Sequence, residues 1–250
     1  MRRTIKLSIL GPIIILAIWW IVAELKLADP ILLPPLGDTL GRLFTLFISG
    51  KAFSDIWATV YRTILGFGIA SFLGIIAGLI IGKYAEIYKT FEIVIDFFRS
   101  LPATAMFPLF LLIFGIGSAS KIAMAVFISF WVVLINSAYG VIHSSKIRTK
   151  VAKSLGATDW QIFKDITVME ALPQIVVGFR TAISLSLIVV VVSEMFIGSS
   201  AGLGQKIYDS YLTYETVNLY AWLLIIGMVG YILNKFFMFF EKRKLHWVGR

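Results

Sequence analysis

The chain has 250 residues, of which 59% are hydrophobic and only 15% are charged, and its mean hydropathy is +0.90. Soluble domains are nearer half apolar and a quarter charged, so this composition excludes a soluble enzyme. Disorder is excluded because 14% of the residues are aromatic. The chain has no cysteine, which excludes disulfides, thiolate metal sites and cysteine nucleophiles. We conclude that this is an integral membrane protein, and we expect no metal site.

Six apolar runs are each close to the roughly 20 residues that cross a bilayer as a helix. They lie at 7–25, 64–81, 93–114, 122–142, 175–197 and 219–240. The first run follows Arg2, Arg3 and Lys6 and could be a signal peptide, but it is long for one and no clear cleavage site follows it. We therefore expect an all-α integral membrane protein with about six transmembrane helices.

Lysine and arginine give the orientation. With both termini inside, the inner segments hold 15 of these residues and the outer segments hold 5. The five outer residues are Lys26, Arg42, Lys51, Lys121 and Lys206. The positive-inside rule therefore predicts cytoplasmic termini, and it explains the net charge of +9 without nucleic acid. The outer segment 26–60 contains three prolines and is expected to carry a short interfacial helix near its end. The inner segments are 1–6, 83–90, 143–170 and 235–250.

The inner segment 143–170 is predicted to form helix, glycine turn, helix. Ile147, Val151 and Leu155 recur every four residues, and Gly156 follows where helices often end with a positive φ. A second helix should begin at Thr158, because Gln161 completes a capping box. It carries apolar residues at a spacing of three: Trp160, Phe163 and Ile166. This pattern fits an amphipathic helix lying on lipid or one docking into a partner's groove.

The string AKSLGATDWQIFKDI, followed by ALP, resembles the EAA loop of bacterial ABC-importer permeases. That motif reads EAA, three residues, Gly, nine residues, Ile-x-Leu-Pro. Gly156 matches the motif glycine, Ala152 the second alanine and Ile166 the isoleucine. Four motif positions differ and hold Lys150, Val151, Val168 and Met169. Similar strings continue over residues 55–240: YRTILGF (61–67), RSLP (99–102), FP (107–108), FGIG (114–117) and GLG (202–204).

This resemblance implies the type I ABC importer permease fold in the bacterial cytoplasmic (inner) membrane. It implies two ATP-binding subunits, a second permease copy (a homodimer), an extracytoplasmic solute-binding protein and contact with membrane lipid. ATP and Mg²⁺ would be bound by the partner ATPase, so no cofactor is expected on this chain. Together the similar strings resemble one branch of these permeases, which imports sulfonates or taurine, nitrate, bicarbonate or pyrimidine precursors. The residues implied to couple to the ATPase are Ala152, Leu155, Gly156, Ala157, Trp160 and Phe163.

The resemblance also suggests a division of the chain. Residues 1–54 would be an N-terminal transmembrane helix with its outer loop, 55–240 the transmembrane domain with coupling loop 143–170, and 241–250 a basic cytoplasmic tail. No Walker A motif occurs anywhere in the chain, so we expect that it binds no ATP itself. Two other functions stay open on the residues alone: an ion-coupled secondary transporter, for which we see no inverted repeat, and a membrane-anchored scaffold.

Small residues recur every four positions along the second run, which predicts a smooth face for a neighbouring helix or, as the alternative, the lining of a solute path. They are Gly66, Ala70, Gly74, Gly78 and Gly82. In the third run, Asp96 and Arg99 can pair at i, i+3, as a structural ion pair or beside a gate. Pro102 should break that helix, and Pro108 should break it again.

Glu194 lies near the outer end of the fifth run, where a carboxylate must be paired, hydrated or protonated. It is either a buried group that fixes helix packing or a pathway or gate residue. Asn136 and Ser193 are further pathway candidates, although hydrogen bonds between helices are the simpler role for such groups. Arg180, at the inner start of the fifth run, is expected to snorkel to lipid phosphates.

Overall fold

A computed structural model of the chain describes residues 2–244, with side chains described for 10–84, 86–239 and 241. Residues 245–250 of the predicted basic tail lie outside the described residues. Every regular element in the described part is helical, which confirms the all-α class. The helices are α1 (Arg2–Glu24), α2 (Leu36–Ile48), α3 (Lys51–Lys83), α4 (Ala85–Ser100), α5 (Phe107–Phe114), α6 (Ser118–Ile142), α7 (Lys146–Ser154), α8 (Asp159–Ile162), α9 (Val168–Ile197), α10 (Leu203–Leu212) and α11 (Thr216–Lys244).

Four of the described helices are long and apolar enough to cross a membrane. The count is five if the bent pair Glu86–Ser100 and Ala103–Phe114, whose halves meet at 86°, forms one span. The first predicted span lies in α1, where Leu10–Glu24 is the apolar part with described side chains. The structure therefore supports four or five crossing helices, where the sequence suggests about six. The four are Lys51–Lys83, Ser118–Ile142, Asp159–Ile197 and Thr216–Phe239.

The two prolines of the third predicted span behave differently. Pro102 lies between α4 and a 3₁₀ turn at Ala103–Met106, so the predicted break is confirmed. The second predicted break is wrong, because Pro108 lies in the first turn of α5. Proline is tolerated there, since the first N–H groups of a helix have no intrahelical acceptor.

The chain forms two compact units. The first contains the residues up to Ala58 together with Ser200–Val229, and the second contains Thr59–Ser199 together with the residues from Gly230 onward. The sequence-based division at residues 54 and 240 stays a prediction.

In the first unit, α1 is bound to the proline-rich segment that follows it. The indole N–H of Trp19 donates to the Pro34 carbonyl at 3.0 Å, and the Tyr220 hydroxyl donates to the Leu32 carbonyl at 2.9 Å. The rings of Trp19 and Tyr220 are 5.2 Å apart. The predicted interfacial helix is α2, which lies nearer the middle of segment 26–60 than its end, because α3 already begins at Lys51.

In the second unit, the small-residue face of α3 lies directly against α6. A Cβ added at Gly66 would lie 2.5 Å from the Ala125 Cβ, and one at Gly78 would lie 2.5 Å from the Leu134 carbonyl oxygen. Ala70, on the same face, is fully buried. Real Cβ atoms do not approach so closely. The two helix backbones can therefore be this close only because these positions lack a side chain. The packing interpretation of this stripe is confirmed.

Helix α6 also packs against α9, and polar side chains join the two. The side-chain amide of Gln174 donates to Asn136 Oδ1 at 2.9 Å, and the Ser129 hydroxyl donates to the Ala182 carbonyl at 3.1 Å. A Cβ at Gly178 would lie 2.7 Å from the Asn136 Cβ, which shows how close the helices are. These bonds are the helix-to-helix contacts expected of polar groups in spanning helices.

Candidate functional site

The turn between α7 and α8 is closed by backbone hydrogen bonds around Gly156. Its N–H donates to the Lys153 carbonyl at 3.0 Å, and the Ala157 N–H donates to the Ala152 carbonyl at 3.0 Å. These two bonds form a Schellman motif, which requires a left-handed residue at the glycine position. Gly156 has φ +85°, so glycine is the residue that fits without strain. The predicted helix, glycine turn, helix is confirmed.

The second helix begins at a capping box, also as predicted. The Gln161 N–H donates to Thr158 Oγ1 at 3.3 Å, and the Thr158 N–H donates to Gln161 Oε1 at 2.8 Å. Lys153 and Asp159 form an ion pair of 3.0 Å across the turn. The turn is therefore closed by its own sequence, since each of these contacts is local.

Apolar side chains on both sides of this turn are exposed. Ile147 is 75% exposed, Leu155 is 82% exposed and Trp160 is 66% exposed. We use "coupling surface" for the six residues singled out in the sequence, which the turn brings together: Ala152, Leu155, Gly156, Ala157, Trp160 and Phe163. An exposed apolar patch of this kind indicates a surface that binds a protein or the membrane.

Phe163 contributes differently from Trp160. It is half-buried, and the Lys83 ammonium lies 4.5 Å from the centre of its ring. Its ring centre lies 6.1 Å from that of Trp160. Phe163 therefore supports Trp160 from the bundle side, and Trp160 is the outward aromatic side chain of the coupling surface.

The coupling surface is tied directly to the membrane bundle. Helix α8 continues through a π-helical turn, Phe163–Thr167, into α9, so Asp159–Ile197 is one helical stretch of 39 residues. The inner segment 143–170 is therefore shorter than the sequence suggests, because its second helix is already the start of the spanning helix. On the other side of the turn, Glu170 of α9 accepts from the Ser145 N–H at 2.5 Å and pairs with Arg148 at 2.9 Å. Sequence reasoning missed Glu170, which lies 25 residues from Ser145.

At the other end of α9, Glu194 is fully buried and paired. The Arg62 guanidinium lies 2.6 Å from one carboxylate oxygen, and the Thr59 hydroxyl lies within 3.0 Å of both. Arg62 also donates to Ser118 Oγ at 3.1 Å. The expectation that this carboxylate must have a partner is confirmed, and the partners lie on α3. The role of Glu194 as a gate stays a prediction.

Lys121 is the residue whose environment sequence reasoning placed wrongly. It was counted among the outer-loop cations, but its side chain is fully buried. Its ammonium donates to the carbonyls of Gly117 at 2.9 Å and Gly198 at 2.8 Å. A buried ammonium needs hydrogen-bond acceptors. The only sequence signal for this site is the glycine at each of the two turns that supply the carbonyls, Gly117 and Gly198. Lys121 thereby joins the start of α6 to the end of α9.

The remaining pathway candidates, Asp96, Arg99, Asn136 and Ser193, make contacts other than those of Glu194 and Lys121. Asp96 and Arg99 form an exposed i, i+3 ion pair of 3.2 Å on α4. The Asn136 amide donates to the Val132 carbonyl and accepts from Gln174, and the buried Ser193 hydroxyl donates to the Val190 carbonyl at 2.7 Å. The structure thus brings the coupling residues together, whereas the pathway candidates lie in different places.

The described residues form apolar helices long enough to span a membrane, and an exposed apolar surface continues into one of them. Residues 70–243 match the family described as the binding-protein-dependent transport system inner membrane component. The chain belongs to this family. It is a multi-pass membrane protein and the permease subunit of an ABC importer, not an enzyme.

Individual relatives agree with this assignment. The chain is 30% identical to the putative aliphatic sulfonates transport permease of Bacillus subtilis (strain 168), covering 96% of this chain and 87% of the relative. It is 28% identical to the taurine transport system permease of Escherichia coli (strain K12), covering 100% and 92%. The inward-facing MetNI methionine ABC transporter has the same fold, with a TM-score of 0.66 and 20% identity over 78% of this chain and 95% of that chain.

Proposed function

We propose that this permease is driven by two separate ATP-binding subunits that dock on the coupling surface. The observation that carries the proposal is the exposed apolar patch around Gly156, which is held rigidly to α9 by Glu170 and by the continuous helix from Asp159. An exposed tryptophan on a rigid support is a typical anchor in a protein interface. Two copies of this chain would form the path, and a solute-binding protein would dock on the outer face.

The mechanism follows from the mechanical link between the surface and the bundle. Closure of the ATPases on ATP and Mg²⁺ would draw the two coupling surfaces together. Because α8 and α9 are continuous, that movement would reach the spanning part of α9 and favour the outward-open arrangement. Hydrolysis would release the surfaces and return the bundle to its inward-open arrangement. Both termini of the chain would lie in the cytoplasm of a bacterial cell, as the distribution of lysine and arginine predicts.

The proposed solute is a small oxyanion of the sulfonate class. The two relatives named above are a permease for aliphatic sulfonates and one for taurine, which carries a sulfonate. Nitrate and bicarbonate present similar oxygen atoms and belong to the same test. Pyrimidine precursors are the alternative solute.

The test is to purify the tagged chain from its native membrane in mild detergent and to measure ATPase activity in the eluate. We expect an ATPase to co-purify and its activity to fall at least tenfold with Gly156→Asp, because the substitution strains the turn and adds a charge to the coupling surface. Gly50→Asp is the matched control, since Gly50 also has positive φ and open space around it. Absence of an ATPase even after crosslinking, or equal activity in both variants, would overturn the proposal.

A further inference from the structure

One face of α9 is polar in the middle of a spanning helix. Arg180, Thr181 and Ser184 lie on this face between the exposed apolar residues Val177 and Ile188. In the second unit they line a cavity of about 340 Å³ together with two residues of α11. Those two residues are Asn234 and Glu241.

The depth of this face follows from its partners on α11. Asn234, which Arg180 contacts, lies five residues before the end of the candidate span Thr216–Phe239, and Glu241 lies beyond that end. At 1.5 Å per residue, Asn234 is about 7.5 Å from the end of the span, within reach of an arginine side chain. Lipid phosphate is therefore the alternative anion for Arg180, and the experiment below distinguishes it from the solute.

The groups around Arg180 are arranged to bind an anion. Its Nε donates to Asn234 Oδ1 at 3.1 Å, which holds the plane of the guanidinium. The terminal guanidinium nitrogens and the Asn234 amide nitrogen are all hydrogen-bond donors. Among the described residues, no carboxylate lies within ion-pair distance of Arg180. The guanidinium of Arg180, which has no ion pair among the described residues, therefore favours an anion as its partner.

We infer that Arg180 and Asn234 form an oxyanion site on the translocation path, where the oxygens of the solute accept hydrogen bonds from the guanidinium and the amide. This inference rests on the proposed function and assigns the residues that recognise the solute class. Glu241 lines the same cavity and opposes the anion by charge. That opposition keeps the site weak, as a transport path requires, because a solute that binds too tightly does not leave.

The natural absence of cysteine allows a direct test with thiol reagents. Ser184→Cys is placed in the permease with its co-purified ATPase, in nanodiscs. It is treated with 2-sulfonatoethyl methanethiosulfonate, which is anionic, and with the 2-(trimethylammonium)ethyl reagent, which is cationic. We expect the anionic reagent to react faster, and we expect Arg180→Gln to lower the ratio of the two rates roughly tenfold. Arg180→Lys should keep the ratio, because it keeps the charge. Glu241→Gln should raise it.

Competition identifies the ligand. Excess methanesulfonate should slow the modification, whereas an equal concentration of a neutral sugar should not. If a lipid phosphate were the occupant, methanesulfonate would protect in phosphate-free maltoside micelles but not in phosphatidylcholine nanodiscs, and the inference would be overturned. It would also be overturned if the cysteine reacted with neither reagent or if Arg180→Gln left the ratio unchanged. These outcomes are independent of the Gly156→Asp experiment, so the site can fail while the proposed function stands.

Discussion

Two regions of the second unit reverse the usual placement of side chains. At the C-terminal end of α9, charged and polar side chains are buried: Thr59, Arg62, Lys121 and Glu194. At its N-terminal end, apolar side chains of the coupling surface are exposed. In the buried region every charge has a partner within the chain, whereas the exposed region offers apolar area that the chain itself does not cover. We therefore expect the first region to stabilise the fold and the second to bind a partner.

The energetic consequences of the two regions differ as well. Removing a charge from water is expensive, and deleting only one partner of a buried ion pair strongly destabilises the protein. Leaving apolar surface exposed costs free energy only in proportion to its area, about 25 cal/mol per Å². Substitutions in the buried region should therefore lower stability, and those in the exposed region should lower affinity. The predictions below test that separation.

The largest effect is expected for Arg62→Ala, which leaves the Glu194 carboxylate buried without its cation. We expect a loss of about 3–5 kcal/mol in the free energy of unfolding, because Arg62 contacts the buried carboxylate at 2.6 Å and deleting one partner of a buried ion pair is strongly destabilising. The measurement is the thermal midpoint and the monodisperse yield of the detergent-solubilised protein. Replacing both partners, Arg62→Met with Glu194→Leu, should recover most of the loss. An unchanged midpoint for Arg62→Ala would show that the pair does not stabilise the fold.

The next largest effect is expected for Trp160→Ala, on the opposite side of the comparison. We expect the affinity for the ATP-binding subunit to fall roughly thirtyfold, about 2 kcal/mol, because an exposed tryptophan is the strongest anchor of the coupling surface. The thermal midpoint should not change. The measurement is the amount of ATPase retained per chain over a dilution series. Retention equal to that of the native chain would remove Trp160 from the interface, and Ile147→Ala provides a control farther from the turn.

The two regions also differ in how far the sequence predicts them. The coupling turn follows from local rules, since Gly156, Thr158 and Gln161 give the C-terminal turn and the capping box within six residues. The Arg62–Glu194 pair joins residues 132 apart, so no local pattern could assign it. The sequence showed only that Glu194 needed a partner.

Lys121 illustrates the same limit. A lysine after the string FGIG has the pattern of a loop residue, and its burial depends on a carbonyl from Gly198, 77 residues away. Apolar runs of about 20 residues located the spanning helices, but they carry no information on the π-helical turn that makes α8 and α9 continuous. Local signals gave the elements, and long-range contacts determined which polar groups lie inside.

A smaller effect is expected at the apolar seam between α3 and α6. Gly78→Ala places a Cβ 2.5 Å from the Leu134 carbonyl oxygen, and we expect a loss of about 1–3 kcal/mol because backbone must move. Gly68→Ala is the matched control, since nothing lies within 4 Å of its Cβ. Thermal midpoints of the two variants measure the difference. Equal midpoints would show that the seam tolerates separation and that the buried charges hold α3 in place.

The smallest effect on stability is expected for Asp96→Asn, which removes the ion pair between Asp96 and Arg99 within α4. Both side chains are 60% exposed, so water screens the pair and its contribution is about 0.5 kcal/mol or less. Glu92→Gln on the same helix is the control. If Asp96 lies beside a gate, the variant should change the rate of solute-stimulated ATP hydrolysis while its thermal midpoint stays that of the control. A loss above about 1 kcal/mol would instead mean that the assembled permease buries this pair, and Asp96 would then belong with Glu194 among the charges that hold the fold.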